Sequence, residues 1–180
     1  MPAAASPLAD QHDQHHWWQP VAKEYTGDED RPLGSYLGVM AGYGGLVGGI
    51  ALVARRLGAT RTPGVLDIAL AGIATHKISR LITKDPVTSP LRAPFTRYIG
   101  TSGDAELMEE VRGTGPQKAI GELISCPFCI GQWVATGFAA GHLFAPTLTR
   151  LVAALFTELA ISDFLHFGYS LAEEKQQQAG

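Results

Sequence analysis

Two cysteines separated by two residues are the sharpest chemical feature of this 180-residue sequence. Cys126 and Cys129 flank Pro127 and Phe128, and residues three apart share one face of a helix. This spacing suits a dithiol–disulfide couple, or half of a tetrahedral site for zinc or another thiophilic metal ion. Further metal ligands would have to come from Glu122, a histidine or a second subunit. The third interpretation is a pair of small apolar packing residues beside a proline kink.

Three ionisable residues near the C-terminus, Glu158, Asp163 and His166, form a second group of candidates. Glu158 and His166 lie on one helix face with Ser162 midway between them. Ionisable groups inside a bilayer are costly and usually face a partner or a cavity. A carboxylate near a histidine can relay protons or bind a cation. The competing interpretation is a salt bridge to the basic residues of another helix.

Membrane helices are the elements that would position these groups. No charged residue occurs between Pro32 and Ala54, and about 20 helical residues cross a bilayer core of roughly 30 Å. We therefore expect a membrane-spanning helix over residues 33–55. A face of small residues lets another helix approach closely, from a second subunit or from the same chain. In this helix that face consists of Gly34, Gly38, Gly42, Gly45 and Gly49.

Three further helices are predicted over residues 64–83, 117–145 and 147–169. The helix over 64–83 has a short apolar stretch, so it either spans the membrane or lies on its surface as an amphipathic helix. Pro127 divides the helix over 117–145 into an amphipathic lead-in and an apolar stretch long enough to cross the bilayer. The predicted fold is an all-α polytopic membrane protein with four transmembrane helices over residues 33–172, or three if the second lies flat.

The remaining segments are polar. Residues 84–116, rich in proline, are predicted to form a cytoplasmic loop. Residues 1–32 carry six acidic against two basic side chains and few aliphatic ones, which predicts a disordered acidic tail. Residues 173–180 are predicted to be a polar tail. Basic residues in and before the loop either contact anionic lipid headgroups or only mark the cytoplasmic side. They are Lys77, Arg80, Lys84, Arg92 and Arg97.

The basic residues predict the orientation. With four spans, ten of the 14 Lys and Arg residues fall on the side of the two termini, which predicts a multi-pass inner (plasma) membrane protein with both termini in the cytoplasm. The cluster of Arg55, Arg56 and Arg61 instead favours three spans with the N-terminus outside. The cysteines would lie near the cytoplasmic end, where thiols stay reduced. A disulfide between residues three apart in a regular helix would also be strained.

Three stretches, ISRLITKDPVTSPLRAPF, GELISCPFC and IGQW, resemble a bacterial family of small integral membrane proteins, the domain of unknown function thirteen-sixty. The resemblance covers about residues 66–170, and it implies a membrane protein without implying an activity. The residues that match the family pattern are Arg80, Leu81, Asp85, Arg92, Pro94, Phe95, Gly121, Glu122, Leu123, Cys126, Cys129, Gly131 and Trp133.

The function expected from these features is a structural or interaction role, as a subunit or accessory component of a membrane assembly. Its partners would be membrane lipids and either a protein partner or further copies of the chain. A net charge of −3 gives no reason to expect nucleic-acid binding. The main alternative is a membrane thiol-redox or metal-binding protein that uses Cys126 and Cys129. A proton or ion conductor would instead use Glu158, Asp163 and His166. No complete catalytic motif is present, so whether the chain is an enzyme stays undecided.

Overall fold

The computed structural model describes residues 18–103 and 106–179. Most of the described residues are helical, in seven α-helices and one short 3₁₀ turn, and a two-stranded sheet completes them. The elements follow in the order α1 (Trp18–Thr26), α2 (Leu33–Arg56), α3 (Val65–Lys84), the 3₁₀ turn (Pro86–Thr88), α4 (Ser89–Arg92), β1 (Thr96–Gly103), β2 (Glu106–Val111), α5 (Gly115–Ser125), α6 (Pro127–Phe144) and α7 (Pro146–Ala179).

Helices α3, α6 and α7 pack together and enclose the hydrophobic core. Ala74 of α3, Phe138 of α6 and Ala153 of α7 are buried at its centre. Two alanines there let the three helices approach closely, as small residues do in membrane bundles. The same close packing appears at Gly131, where an added Cβ would lie 3.3 Å from the Ser79 hydroxyl oxygen. We call these three helices the bundle.

Ion pairs at two levels show how α3 and α7 run relative to each other. Asp67 near the start of α3 contacts Arg150 near the start of α7. Further along, Lys77 contacts Asp163. Helices α3 and α7 therefore run in the same direction. A single residue, Ala145, connects α6 to α7.

Helix α2 lies beside the bundle and is attached to it by few contacts. The Tyr43 hydroxyl lies 2.9 Å from the Thr136 hydroxyl of α6. The Tyr43 ring meets the Trp133 ring edge to face, with centroids 5.3 Å apart. Ala54 is the only residue of α2 that is buried. Most of this 24-residue helix thus presents its side chains to the surroundings of the chain.

The predicted helix over residues 117–145 is two helices in the structure. Helices α5 and α6 meet at a bend of 78°. Cys126 stands at the bend in an extended conformation, with φ −102° and ψ 112°. The following Pro127 disfavours the helical conformation at the residue before it, so the proline that was expected to kink one helix separates two.

The described residues of segment 84–116 form a 3₁₀ turn, a short helix and two strands where a polar loop was predicted, and the strands add a sheet to a fold expected to be all-α. Strands β1 and β2 pair antiparallel from Thr96 opposite Val111 to Gly103 opposite Glu106. Two register shifts interrupt the pairing, and most β1 residues are exposed. This hairpin lacks the regular alternation of apolar and polar residues that announces a half-buried strand.

Both predicted tails contain helix in their described parts. Helix α1 occupies residues 18–26, within the predicted acidic tail, whereas residues 1–17 of that tail lie outside the described residues. Helix α7 continues to Ala179, through Glu, Lys, Gln and Ala residues that are good helix formers. Its 34 residues correspond to about 51 Å of helix, longer than the bilayer core.

Two helices, α2 and α7, are long and apolar enough to cross a membrane. The bent pair α5 and α6 passes the same test together and gives a third span if it is counted as one. This assignment rests on length and composition, and it associates the chain with a membrane.

Candidate functional site

A polar cavity lies between the C-terminal part of α3, the middle of α7 and the start of β2. Its volume is about 380 Å³. The cavity brings together two groups that are far apart in the sequence, namely the basic residues of α3 and the ionisable residues of α7. It is lined by Lys77, Arg80, Leu81, Lys84, Asp85, Glu106, Asp163, His166, Phe167 and Ser170.

Two ion pairs occupy the walls of this polar cavity. The Lys77 ammonium donates a hydrogen bond of 2.5 Å to Asp163, and the Arg80 guanidinium donates to Glu106. The lining thus contains three cationic and three anionic side chains, besides His166. A cavity with balanced charges has no strong preference for an anion or a cation. For Asp163, the structure adopts the salt-bridge alternative that the sequence left open.

The three candidates on α7 do not act as one group. Asp163 turns toward Lys77, and His166 lines the polar cavity. Glu158 is exposed and lies outside that cavity. Within residues 18–103 and 106–179, no Lys, Arg or His nitrogen lies within 4.0 Å of its carboxylate. The structure therefore separates Glu158 from Asp163, whereas His166 both lines the cavity and shares the helix face of Glu158 by its spacing.

Arg92 has a structural position that its assignment to the basic loop did not predict. Its side chain is fully buried, and it donates a 2.5 Å hydrogen bond to Glu109 of β2. It also donates to the carbonyl oxygens of Ile82 and Asp85, which belong to the end of α3. A residue so placed cannot contact lipid headgroups. Arg97 is exposed on β1, opposite Glu110.

The two cysteine thiols face each other at the bend between α5 and α6. Cys126 precedes the first turn of α6, and its sulfur accepts a hydrogen bond from the Cys129 backbone N–H at 3.3 Å. The two Sγ atoms are 2.7 Å apart, and both residues are free thiols. Cys129 is exposed, whereas Cys126 is half-buried. Because Cys126 lies outside the regular helix, the expected helical strain does not apply to this pair.

Glu122 is engaged elsewhere and does not complete a metal site. Its carboxylate accepts a hydrogen bond from the Tyr36 hydroxyl of α2 and lies 3.8 Å from the Arg31 guanidinium. The pKa of Arg31 is raised above its usual value, chiefly because Glu29 accepts its hydrogen bond. In the part of the chain that the structure describes, no three His, Cys, Asp or Glu side chains are grouped around a common point. Two thiols alone do not fit the four-ligand shell of a structural zinc ion.

An ion pair at the opposite end of the bundle was missed in the sequence. Asp67, with a side chain 6% exposed, accepts a 2.7 Å hydrogen bond from Arg150. His142 is buried, and its Nε2 atom lacks a hydrogen-bond partner among the described residues. The sequence signal was one acidic and one basic residue, each near the start of a predicted helix, but a pairing across 83 positions requires knowledge of how the helices pack.

The glycine face of α2 is open in the structure. A Cβ atom added at any of its five glycines would meet no heavy atom of the described residues within 4 Å, apart from the local helix backbone. The described helices of the chain therefore do not occupy this face, although they were one of its two predicted contacts. A helix from another molecule can approach it as closely as the glycines permit. The five positions are Gly34, Gly38, Gly42, Gly45 and Gly49.

Several residues that carried the family resemblance hold the fold together. A Cβ at Gly121 would lie 2.7 Å from Val111 and 3.0 Å from the Phe95 carbonyl oxygen, so α5 packs closely on the hairpin there. Trp133 contacts Tyr43 of α2. Asp85 accepts a hydrogen bond from the Val87 backbone N–H and begins the 3₁₀ turn. These positions explain the pattern by packing and capping, without a chemical reaction.

Comparison with known proteins gives a family and two relatives. The model of the family described as "Protein of unknown function (DUF1360)" matches residues 70–169. The chain is 36% identical over 73 residues to sporulation protein YjcA of Bacillus subtilis (strain 168), covering 39% of this chain and 62% of that protein. It is 28% identical over 93 residues to UPF0713 protein YngL of the same organism, covering 50% of this chain and 65% of that protein.

The matches thus span less than two thirds of either relative's length. No solved structure matches the chain significantly. The family match extends from the middle of α3 to the middle of α7 and includes the hairpin, the bent pair and the two cysteines. Since this match covers more than half of the sequence, the chain belongs to the family of proteins of unknown function DUF1360.

Proposed function

We propose that this protein is an integral membrane component that joins other membrane proteins into an assembly. The observation that carries the proposal is the open glycine face of α2. This helix is charge-free from Leu33 to Ala54, and its glycines meet no other part of the described chain. An exposed glycine-rich helix has little reason to exist for folding alone, because each glycine lowers helix propensity by about 1 kcal/mol relative to alanine.

The finer proposal is that four helices cross the membrane, namely α2, α3, the α5–α6 pair and α7. The weak member by composition is α3, because it contains Asp67 and Lys77. Both are paired with α7, to Arg150 and Asp163 respectively. Paired charges inside a membrane are far less costly than isolated ones, which supports placing α3 in the bilayer beside α7. The excess of basic residues at the end that carries the hairpin supports cytoplasmic termini.

Substitutions on the glycine face test the proposed role. Gly38→Ile combined with Gly42→Ile would hold the partner backbone away, so we expect loss of the assembly without loss of membrane insertion. The matched control is Gly44→Ile with Ala51→Ile, which adds similar bulk about a third of a turn away. Chemical cross-linking in native membranes and size analysis in mild detergent report the assembly. Equal assembly in both double variants would contradict the proposal.

Reporter fusions test the orientation. We expect a reporter that is active in the cytoplasm to work at residues 1, 100 and 180, and a reporter that needs export to work at residue 60. A reporter at residue 1 on the outside, with residue 180 inside, would instead support three spans with α3 lying on the surface.

A thiol-redox role is the second candidate, and the thiol geometry favours it specifically. Cys126 immediately precedes the first turn of α6, and the partner sulfur is 2.7 Å away. Proximity of this kind allows disulfide formation when an oxidant accepts two electrons and two protons leave the thiols. A metal-binding role is less well supported, since it needs ligands beyond the described residues.

Labelling with a soluble maleimide distinguishes these possibilities. For a redox pair, we expect one thiol to react faster than an ordinary half-buried cysteine, with no effect of a chelator. Prior chelation would accelerate labelling if a metal protected the pair. If neither thiol reacts, and Cys126→Ser with Cys129→Ser leaves growth and assembly unchanged, the cysteines have only a packing role.

A further inference from the structure

Three polar residues follow one another along the outward face of α7. Glu158, Ser162 and His166 are spaced by four residues, so they form a ridge along the helix. Glu158 and His166 are exposed, and Ser162 is half-buried. We call these three residues the outer polar stripe. Asp163, the next residue after Ser162, points in another direction and pairs with Lys77.

The surroundings of the outer polar stripe are apolar. Leu151 is 67% exposed, Leu155 51% and Leu165 69%, and all three share the face of Glu158 by helical spacing. The carboxylate of Glu158 thus stands in a field of exposed leucines. Within the described residues, this chain provides no cationic nitrogen within 4.0 Å of it.

The level of Glu158 along the bundle makes this arrangement costly in lipid. Glu158 lies eight residues beyond Arg150 and five residues before Asp163, or about 12 Å and about 7.5 Å of helix. It therefore lies between the two levels at which α3 and α7 form ion pairs, in the apolar part of the bundle. An ionised carboxylate at such a level needs a partner, because the hydrocarbon supplies no hydrogen-bond donor.

We propose that the outer polar stripe binds a transmembrane helix of a different protein, which presents a Lys, Arg or His side chain at the level of Glu158. This inference rests on the proposed function, and it names the chemistry of one partner. Charge complementarity is the argument: an isolated acid on an apolar helix face selects a helix with one base, and Ser162 and His166 add hydrogen bonds along the same line. A protein partner with that pattern removes the cost of the unpaired carboxylate.

A second copy of this chain does not satisfy the carboxylate through its own α7 or through its α2. Copies in one membrane share one orientation, so symmetric contact between two α7 helices would bring Glu158 against Glu158. Like charges at that distance repel. The glycine face of α2 carries no charged residue from Leu33 to Ala54. A copy that docks through that face therefore supplies no base to Glu158.

Synthetic transmembrane peptides test the proposal directly. The full-length protein is reconstituted in phosphatidylcholine vesicles with a labelled Leu-rich helix that has one central Lys, and energy transfer reports association. Matched peptides have Leu or Glu at the centre. We expect the Lys peptide to associate about 3- to 30-fold more tightly than the Leu peptide, the range measured for polar contacts between membrane helices, and the Glu peptide to associate no better than the Leu peptide.

Two variants identify the group that is responsible. Glu158→Leu should abolish the preference for the Lys peptide, whereas Glu173→Leu, the same change near the exposed end of α7, should keep it. Ser162→Ala should reduce the preference by a smaller factor. Equal association of all three peptides, or a preference that survives Glu158→Leu, would overturn the proposal.

Photo-cross-linking extends the test to native membranes. A photoreactive residue at Leu155 should give one protein adduct, and the membrane segment of the captured protein should contain a basic residue. Its conversion to a neutral residue should abolish the adduct. An adduct between two copies, or adducts with lipid alone, would overturn the proposal. These outcomes can be distinguished from failure of the proposed function. In them, the Gly38 and Gly42 variants would still disrupt the assembly, because that experiment tests a different helix face.

Discussion

Helix α2 and the bundle represent two ways of placing a helix in a membrane. The bundle contains charged residues, and it pairs four of them internally, with Asp67 joined to Arg150 and Lys77 joined to Asp163. Helix α2 contains no charge over most of its length, yet it contributes one buried residue, Ala54. Hydropathy alone therefore ranks α2 as the clearest span, although the packing identifies α3 as the central helix. The apolar composition of a helix thus indicates that it lies in a membrane. Ion pairs between helices indicate which helices pack against each other.

The largest expected effect concerns the hairpin end of the bundle. Arg92→Ala would leave Glu109 as a buried, unpaired carboxylate and remove the donors to the end of α3. We expect a loss of stability of about 3–5 kcal/mol, typical of breaking a buried ion pair. Arg97 is an exposed arginine five residues further along the chain, and Arg97→Ala should change stability by less than about 0.5 kcal/mol. Thermal aggregation of the detergent-solubilised variants measures both, and similar values would contradict the buried role of Arg92.

An intermediate effect is expected at the ion pair between α3 and α7. Asp163→Asn removes the charge that compensates Lys77, and we expect a loss of about 1–3 kcal/mol, the scale of hydrogen bonds to charged groups. Lys77→Met combined with Asp163→Leu should restore part of it, because neither charge is then left alone. The measurement is unfolding in mixed micelles.

Glu158→Gln provides the contrast to Asp163→Asn on the same helix. If Glu158 had the salt bridge to another helix that the sequence allows, this substitution would lower stability by a comparable amount. Its exposed position in the structure now predicts almost no change in the stability of the isolated protein. A destabilisation equal to that of Asp163→Asn would show that Glu158 has an internal partner after all.

A small and local effect is expected for the attachment of α2. Tyr43→Phe keeps the edge contact with Trp133 and loses the hydrogen bond to Thr136, which is worth about 1 kcal/mol. We expect α2 to separate from α6 more readily, which would make amide hydrogen exchange in α2 faster and its cross-linking to other groups easier. The stability of the bundle should not change. Trp133 fluorescence reports the local contact. A global loss of stability in this variant would show that α2 and the bundle form one cooperative unit.

Much of the helical architecture could be predicted from the sequence, since apolar stretches and their polar boundaries are local signals. The helix over 33–55 corresponds closely to α2 at Leu33–Arg56, and that over 64–83 to α3 at Val65–Lys84. The hairpin was missed because its strands are mostly exposed and interrupted by register shifts. The family resemblance over residues 66–170 is confirmed by the match over residues 70–169.

The sequence analysis selected residues that line the candidate site, but it predicted only in part which of them contact each other. Asp163 and the basic residues of α3 were each selected, and a salt bridge was one alternative, yet which acid meets which base depends on the rotation of α7. The burial of Arg92 could not be inferred, because a loop arginine and a buried arginine look alike in sequence. The sequence predicted that Cys126 and Cys129 share one helix face, whereas the structure places Cys126 in an extended conformation at a bend, with the two sulfurs 2.7 Å apart.

The 78° bend between α5 and α6 has a consequence for the reagents that can reach the cysteines. If α6, with its 18 largely apolar residues, follows the bilayer normal, α5 lies nearly flat along the membrane surface. Cys129, which is exposed, then stands at the boundary between hydrocarbon and water. An oxidant dissolved in the lipid and a reductant dissolved in the adjoining water would approach it from different phases, without having to meet each other.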